Sequence, residues 1–138
     1  MASRTLDDLS PVVKARAEAF LSACEAAGID ILIYCTYRSP EEQDELYAQG
    51  RTKPGRVVTN ARGGDSFHNW RCAFDFVPLV AGKPAWDNKE LYTKAGGIPE
   101  SVGLEWSGRW TGKLRETAHC QYTGGLSLAQ LKAGKAVA

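Results

Sequence analysis

The sequence contains two histidines, and each lies near acidic residues at a spacing that suits metal chemistry. His68 is followed by Asp75, and His119 is preceded by Glu116. A catalytic zinc ion usually takes three ligands from histidine and carboxylate side chains and leaves one position for water. We expect His68, Asp75 and His119 to supply those ligands, because a loop followed by a strand can bring the first two to one ion. A bound zinc ion lowers the pKa of a water molecule to about 7, which would make this a hydrolytic centre.

Two further charged residues would complete such a centre. Glu116 is placed to act as the general base that takes a proton from water and passes it to a leaving amine. Arg38 lies at a predicted strand-to-helix junction, where its charge could meet the negative charge that develops on an attacked carbonyl. Each feature alone is more typical of a structural ion pair or a solvated charge. Their occurrence together, in this order, favours the catalytic interpretation.

The first forty residues predict a helix and a strand that lead to Arg38. Ser10 and Pro11 are typical of a helix start, and Gly28 would end that helix. β-branched and aromatic residues then predict a strand over residues 29–38. The apolar stripe of the helix consists of Val13, Ala17, Phe20, Cys24 and Ala27.

The rest of the chain predicts a second helix, two more strands and two short helices. Ser39, Pro40 and Glu42 form a capping box with proline at the first helical position, and the helix would stop at Gly50. Residues 51–65 read as a loop. Strands are expected over residues 72–80, ended by Pro78 and Gly82, and over residues 118–122, and helices over residues 88–94 and 126–132. Because strands and helices do not alternate regularly, the pattern predicts a small α+β domain with a mainly antiparallel sheet packed by helices.

Length and composition narrow the class of protein. The 138 residues suit a single domain over residues 1–138. The formal net charge of +1 provides no basic surface, which argues against a nucleic-acid partner. The sequence has no apolar run of about 18 residues, so we expect no stable membrane insertion. The first twenty residues carry mixed charges without an apolar core, so we expect no signal peptide and synthesis in the cytoplasm.

The four cysteines form no C-x-x-C pair, which argues against a zinc knuckle or a redox motif. We interpret Cys24 and Cys35 as small buried apolar residues. Cys72 and Cys120 lie next to the metal-site segments, so their thiols are the ones expected to matter there.

These segments together resemble the D-alanyl-D-alanine carboxypeptidase and L-alanyl-D-glutamate endopeptidase family of zinc peptidases, especially its phage endolysin branch. The family pattern S-x-H-x-x-G-x-A-x-D is matched by Ser66, His68, Ala73 and Asp75, and its later acidic residue and histidine by Glu116 and His119. The segment from Tyr37 to Gly50 resembles the upstream motif that carries the arginine, and residues 103–110 resemble the segment before the last histidine. The similarity covers about residues 10 to 130.

The resemblance implies a role for each matching residue. His68, Asp75 and His119 would bind zinc, Glu116 would be the general base, and Arg38 would bind the scissile carbonyl or its oxyanion. Ser66 and Gln43 match positions that line the substrate cleft. The resemblance also implies a small α+β domain with the zinc site at the floor of a cleft.

The sequence departs from the family pattern at two positions. Arg71 replaces a glycine between the first two ligands, and a glycine there suggests tight packing or a positive φ. We expect the Arg71 side chain to point to solvent rather than into the cleft. Cys120 replaces an aromatic or aliphatic residue beside His119, and we expect it to be buried because successive strand residues face opposite sides. Leu104, Trp106 and Trp110 are expected in the core rather than in a cleft wall.

The sequence therefore predicts an endolysin that hydrolyses the L-alanyl-D-glutamate bond of the peptidoglycan stem peptide as a monomer, with no separate cell-wall-binding domain. It would wait in the host cytoplasm and reach the wall after the membrane is permeabilised. A D-alanyl-D-alanine carboxypeptidase or dipeptidase shares every catalytic residue and stays open as an alternative. A non-catalytic zinc-stabilised binding module is a third reading, against which Glu116 and Arg38 argue.

Overall fold

The computed structural model describes residues 2–111 and 116–138 of the chain. The first long element, α1, spans Pro11–Ala26, with Ser10 at its N-cap and proline at the first helical position. Its buried face consists of Val13, Ala17, Phe20 and Cys24. Ala27, which we placed in the same stripe, is exposed because the helix has already ended there, and Gly28 follows with a φ of +75°.

The sheet has five antiparallel strands among the described residues: β1 Asp30–Cys35, β2 Ala73–Val80, β3 Lys83–Pro84, β4 Glu105–Trp106 and β5 His119–Gln121. Their order is β1-β2-β5-β4, and β3 pairs with the far end of β2. This arrangement, with helices beside an antiparallel sheet, confirms the predicted α+β class. β1 and β5 are shorter than predicted, since β1 ends at Cys35, three residues before Arg38, and β5 spans only His119–Gln121.

The core lies between α1 and one face of the sheet. Phe20 of α1 contacts Phe74 and Phe76 of β2, with ring centroids 5.7 Å and 5.3 Å apart. Side chains alternate between the two faces of a strand. The residue between these two phenylalanines, Asp75, therefore faces the opposite side of the sheet, away from α1. Alternation along β2 thus separates the apolar core from the polar site.

The three shorter helices begin with side-chain caps. α2 spans Pro40–Ala48, and its capping box pairs the Ser39 and Glu42 side chains with each other's backbone N–H, as predicted. α3 spans Lys89–Gly96 and α4 spans Leu128–Lys132. Residues 51–65 form neither helix nor strand, as expected. In the part of the chain that the structure describes, no helix is both long and apolar enough to cross a membrane.

Pro78 does not end β2, contrary to our expectation, because the strand continues to Val80. A proline is tolerated where its missing N–H is not needed by a neighbouring strand. β5 pairs only with residues 73–75 of β2, and β3 pairs only with Leu79 and Val80. Pro78 falls between these two pairings, so its missing N–H leaves no ladder bond broken on that side.

Trp106 on β4 belongs to the core, as predicted, and has an unusually close setting. Its indole packs against Gly96 and Gly108, at both of which a Cβ atom would overlap the ring. The indole Nε1 donates a hydrogen bond of 2.8 Å to the Thr117 carbonyl. Leu104 is also buried. The indole therefore fixes the backbone directly before His119 to the core.

Candidate metal centre

His68 lies in a short 3-10 helix, Phe67–Trp70, that follows the loop and precedes β2. Ser66 caps this helix, and its Oγ accepts a hydrogen bond of 3.3 Å from the His68 backbone N–H. The ring nitrogen Nδ1 of His68 lies 2.9 Å from the Thr36 carbonyl oxygen. A carbonyl can only accept, so Nδ1 must donate, and Nε2 is left to face the cleft.

Asp75 and His119 reach the same point from neighbouring strands, since they are paired partners in the β2–β5 ladder. The His119 ring is held from its own strand, because its Nε2 lies 2.8 Å from the Gln121 Oε1 atom. Residues two apart on a strand share a face, which places Gln121 beside His119. With Nε2 donating to Gln121, the Nδ1 atom of His119 faces Asp75.

The three side chains converge on one carboxylate oxygen. Asp75 Oδ1 lies 3.1 Å from His68 Nε2 and 3.3 Å from His119 Nδ1. Because both outer ring nitrogens donate to carbonyl oxygens, each inner nitrogen is left to direct either a lone pair or a proton at the Asp75 carboxylate. Such an arrangement is stabilised only by a cation or by a shared proton. Two imidazoles and one carboxylate with their outer atoms already oriented therefore fit a zinc ion.

The electrostatics of the cluster lead to the same conclusion. Burial by itself would lower the pKa of His68, but the Asp75 carboxylate outweighs it and raises that pKa to about 10. Burial would raise the pKa of Asp75, yet the charge and hydrogen bonds of the two imidazoles hold it well below its usual range. The carboxylate thus keeps its negative charge in a buried position and attracts a positive partner.

Glu116 lies at the exposed edge of the same cluster. Its carboxylate, one Asp75 oxygen and one His119 ring nitrogen all lie within 4.8 Å of one another. Ser107 holds its backbone, accepting a 3.4 Å hydrogen bond from the Glu116 N–H and donating its hydroxyl to the Glu116 carbonyl. The structure therefore brings the predicted base beside two of the three predicted ligands.

Arg38 lines the cleft, and its guanidinium is fixed from behind. Its Nη1 donates a 2.9 Å hydrogen bond to Gln43 Oε1. Gln43 was expected to line the cleft, but its side chain is fully buried and lies behind Arg38. Its amide group also donates to the Ala61 carbonyl at 2.9 Å. Gln43 therefore orients Arg38 and the adjacent loop rather than contacting the cleft.

The cluster opens into a cleft of about 810 Å³. Ser66 lies on its wall, where the sequence placed it, and the exposed side chains of Val57 and Val58 form another part of the lining. Trp110, which we expected in the core, also lines the cleft, with its ring centroid 5.9 Å from that of His119. The indole therefore covers one side of the His119 ring.

Arg71 takes the conformation that the family glycine would suggest. Its φ is +61°, in the left-handed region, at the end of the helix that carries His68. Its side chain turns away from the cleft. It stacks on the Tyr37 ring at 4.0 Å and donates a 2.8 Å hydrogen bond to the Asp8 carbonyl. The expectation that Arg71 avoids the cleft is consistent with this geometry.

The cysteine that contacts the site is not one of the two that we expected. Cys120 is buried as predicted, and burial raises the pKa of its thiol well above the usual value. Cys72 is also fully buried. The thiol that reaches the site is that of Cys35, whose Sγ atom lies 3.7 Å from His68 Nδ1. An irregularity in the β1–β2 register places Cys35 opposite Asp75, which a sequence pattern does not reveal.

Sequence reasoning also missed the groups that orient the two imidazoles. Gln121 could have been found from its position two residues after His119 on a predicted strand, because side chains at that spacing share a face. The Thr36 carbonyl carries no such signal, since any residue at that position would supply one.

The chain is similar to known proteins in both sequence and fold. The chain matches the family model of VanY, D-alanyl-D-alanine carboxypeptidase, over residues 7–124. The peptidoglycan L-alanyl-D-glutamate endopeptidase CwlK of Bacillus subtilis strain 168 is 43% identical over 112 residues, covering 75% of this chain and 67% of that protein. The L-alanyl-D-glutamate peptidase of Listeria phage A118 is 29% identical over 123 residues, covering 85% of this chain and 39% of that protein.

A solved structure shows the same fold. The Serratia marcescens L-Ala D-Glu endopeptidase ChiX superposes with a TM-score of 0.66 and 20% identity, covering 90% of each chain. The chain thus spans about two thirds of the length of the Bacillus relative and a smaller part of the phage relative.

Proposed function

Because the chain belongs to the VanY D-alanyl-D-alanine carboxypeptidase family, we propose that it is a zinc-dependent peptidase of bacterial peptidoglycan. Its reaction would be hydrolysis of the bond between L-alanine and D-glutamate in the stem peptide. The observation that carries this choice of bond is the 43% identity to CwlK, whose name specifies that linkage. The convergence of His68, Asp75 and His119 supports the metal dependence.

His68 Nε2, Asp75 Oδ1 and His119 Nδ1 would hold the zinc ion, which when bound supplies Lewis-acid activation of water and of the scissile carbonyl. Glu116 takes the proton from the attacking water as the water oxygen bonds to the L-alanine carbonyl carbon. The carbon–nitrogen bond then breaks, and Glu116 returns the proton to the departing amine of D-glutamate. Its exposed position at the cleft edge allows it to serve both steps.

Arg38 stabilises the negative charge that develops on the carbonyl oxygen. Its guanidinium donates hydrogen bonds to the Gln43 amide oxygen and to the Cys35 sulfur. Because neither acceptor is a carboxylate, the positive charge stays available to the substrate. Ser66, on the cleft wall next to His68, would contact the peptide directly.

The shape of the cleft favours an endopeptidase. Arg38 and Leu46 line both the metal cleft and a second cavity of about 400 Å³ beyond it. The second cavity therefore adjoins the cleft at the residue proposed to face the scissile carbonyl. A substrate with chain on both sides of the scissile bond needs such an open path.

The test is digestion of purified peptidoglycan by the zinc-loaded protein, with products identified by mass spectrometry and Glu116→Ala as the control. We expect glycan strands that carry L-alanine and peptides that begin with D-glutamate, and neither product with the variant. Absence of all hydrolysis despite bound zinc would contradict the proposal and favour a binding module.

A second candidate is a D-alanyl-D-alanine carboxypeptidase or dipeptidase, which the family description itself favours. The same digestion separates the two activities, because a carboxypeptidase releases free D-alanine and leaves the L-alanyl-D-glutamate bond intact. Free D-alanyl-D-alanine offered as a substrate would detect the dipeptidase.

The biological setting forms a further part of the proposal. Similarity to the Listeria phage peptidase supports a role in host-cell lysis, although the relative with 43% identity is bacterial. In this setting the protein acts as a monomer on the wall after the membrane has been opened. Expression in a bacterial host would then cause lysis only when a permeabilising agent is added, and lysis without the agent would contradict this route.

A further inference from the structure

Cys35 occupies a position in the site that its residue type alone would not suggest. It is the last residue of β1, and the register irregularity after Ile33 sets it opposite the ligand Asp75. Its Sγ atom lies 3.4 Å from Arg38 Nη2 and 3.7 Å from His68 Nδ1. The thiol thus lies between the cation that faces the substrate and the outer side of a metal ligand.

The guanidinium of Arg38 is held at two corners by different elements. Gln43, on α2, accepts from Nη1, and Cys35, on β1, accepts from Nη2. A guanidinium is planar, so acceptors at both terminal nitrogens fix the direction of the plane, which a single bond would leave free to rotate. Gln43 is itself immobilised by the Ala61 carbonyl and by Thr59 Oγ1.

We infer that Cys35 is a positioning residue for the proposed reaction, and that its thiol sulfur and the Gln43 amide oxygen together hold the Arg38 guanidinium in the plane that meets the scissile carbonyl. This inference rests on the proposed function, because it assigns Arg38 to the substrate oxygen.

The other three cysteines show that burial alone does not account for this position. Cys24, Cys72 and Cys120 have no exposed surface, whereas Cys35 is 4% exposed and lines the second cavity beside Arg38. Cys24 packs in the core from α1, on the other side of the sheet from Asp75. Cys24→Ala is therefore the matched control, since it removes the same thiol from a buried position that does not touch the site.

The decisive experiment is a double-mutant cycle between Cys35 and Arg38, with kcat and KM measured on a soluble muropeptide at equal zinc content. We expect Cys35→Ala to lower kcat about tenfold with KM nearly unchanged, because a transition-state contact is misplaced. Cys35→Ser, which keeps an acceptor, restores most of that loss. In the Arg38→Ala background, Cys35→Ala has little further effect, because the group through which it acts is gone.

An equal loss in both Arg38 backgrounds, or a loss that follows the zinc content, would overturn the inference. So would a Cys24→Ala variant that loses as much activity as Cys35→Ala. Failure of the proposed function would look different, because wild-type protein would then leave the L-alanyl-D-glutamate bond of the muropeptide intact.

A measurement that does not depend on activity tests the positioning role even if the proposed function fails. The ¹⁵N signal of the Arg38 guanidinium reports its mobility in solution. We expect Cys35→Ala to mobilise it, and Cys35→Ser and Cys24→Ala to leave it rigid. An unchanged Arg38 signal in Cys35→Ala would refute the positioning role, whatever the activity.

Discussion

The two sides of the cleft hold their histidines by different means. On one side, His68 is fixed by a backbone carbonyl, that of Thr36, and is enclosed by Cys35. On the other side, His119 is fixed by the side chain of Gln121 and lies next to the exposed Glu116. The first imidazole depends on the course of the chain, and the second depends on the identity of a neighbouring residue.

This difference has a consequence for what substitution can do. A carbonyl that orients a ligand survives any side-chain change at its residue, whereas an amide side chain does not. The orientation of the His68 ring is therefore less sensitive to substitution of its orienting residue than the orientation of the His119 ring. The His119 side has at least two vulnerable positions, His119 and Gln121, and it also carries Glu116, the proposed general base.

The largest loss of activity is expected for substitution of the two histidines, and it should be equal on the two sides of the cleft. His68→Ala and His119→Ala each remove one of the three proposed ligands, so we expect both to lose zinc and hydrolysis to fall to background. We expect wild-type protein to gain about 2.7 kcal/mol of unfolding free energy when zinc is present at a hundredfold excess over its Kd. Thermal melts with and without zinc measure this, and a zinc-dependent shift that persists in either variant would remove that histidine from the ligand set.

Glu116→Gln separates proton transfer from metal binding on the His119 side. The variant keeps the shape of the side chain but cannot take a proton, so we expect kcat to fall by about 10²–10⁴-fold. We expect the zinc content, measured by atomic absorption, to stay at the wild-type level because the three proposed ligands are intact. Full activity in this variant would show that another group is the base.

Gln121→Ala is the direct probe of the difference between the two sides. Loss of the group that orients a metal-binding histidine typically weakens metal affinity by about 10–100-fold. Thr36→Val, which leaves the orienting carbonyl in place, will weaken it less. Competition with a zinc-chelating dye measures both, and Gln130→Ala in the cap of α4 is the matched control. Equal losses in Gln121→Ala and Thr36→Val would mean that the two sides are not held differently.

The smallest effect concerns the turn that carries His68. Arg71 adopts a φ of +61°, which costs about 1 kcal/mol for a residue with a side chain and nothing for glycine. Arg71→Gly and Arg71→Ala both lose the contact with Tyr37, so their difference isolates the backbone cost. We expect the glycine variant to be more stable by about 1 kcal/mol in urea unfolding. Equal stability would mean that the turn relaxes in solution.

The parts of the site that could be predicted from sequence are those specified by residue type and short spacing. The α+β class, the capping box of α2 and the grouping of His68 with Asp75 follow from patterns that extend over a few residues. The roles of Gln43 and Cys35 could not be predicted in this way. Gln43 required knowledge of which way α2 faces, and Cys35 required the register irregularity in β1.

The position of Trp110 also could not be predicted from its residue type. Its apolar character indicated the core, as it did correctly for Trp106. The two residues differ because Trp106 lies on β4 and faces the packed side, whereas Trp110 follows a short helical turn that directs it over His119. Residue type therefore did not determine whether each tryptophan lies in the core or in the cleft. The course of the chain between Trp106 and Trp110 determined it.

The close packing of Trp106 between Gly96 and Gly108 constrains how this protein can diverge. Neither glycine can be replaced while the indole remains, and a smaller residue at 106 would release the Thr117 carbonyl next to Glu116. The three positions therefore act as one inherited unit, although they lie on three separate elements. A lineage that loses the tryptophan would first lose the anchor of its proton-transferring segment, and only afterwards become free to change the two glycines.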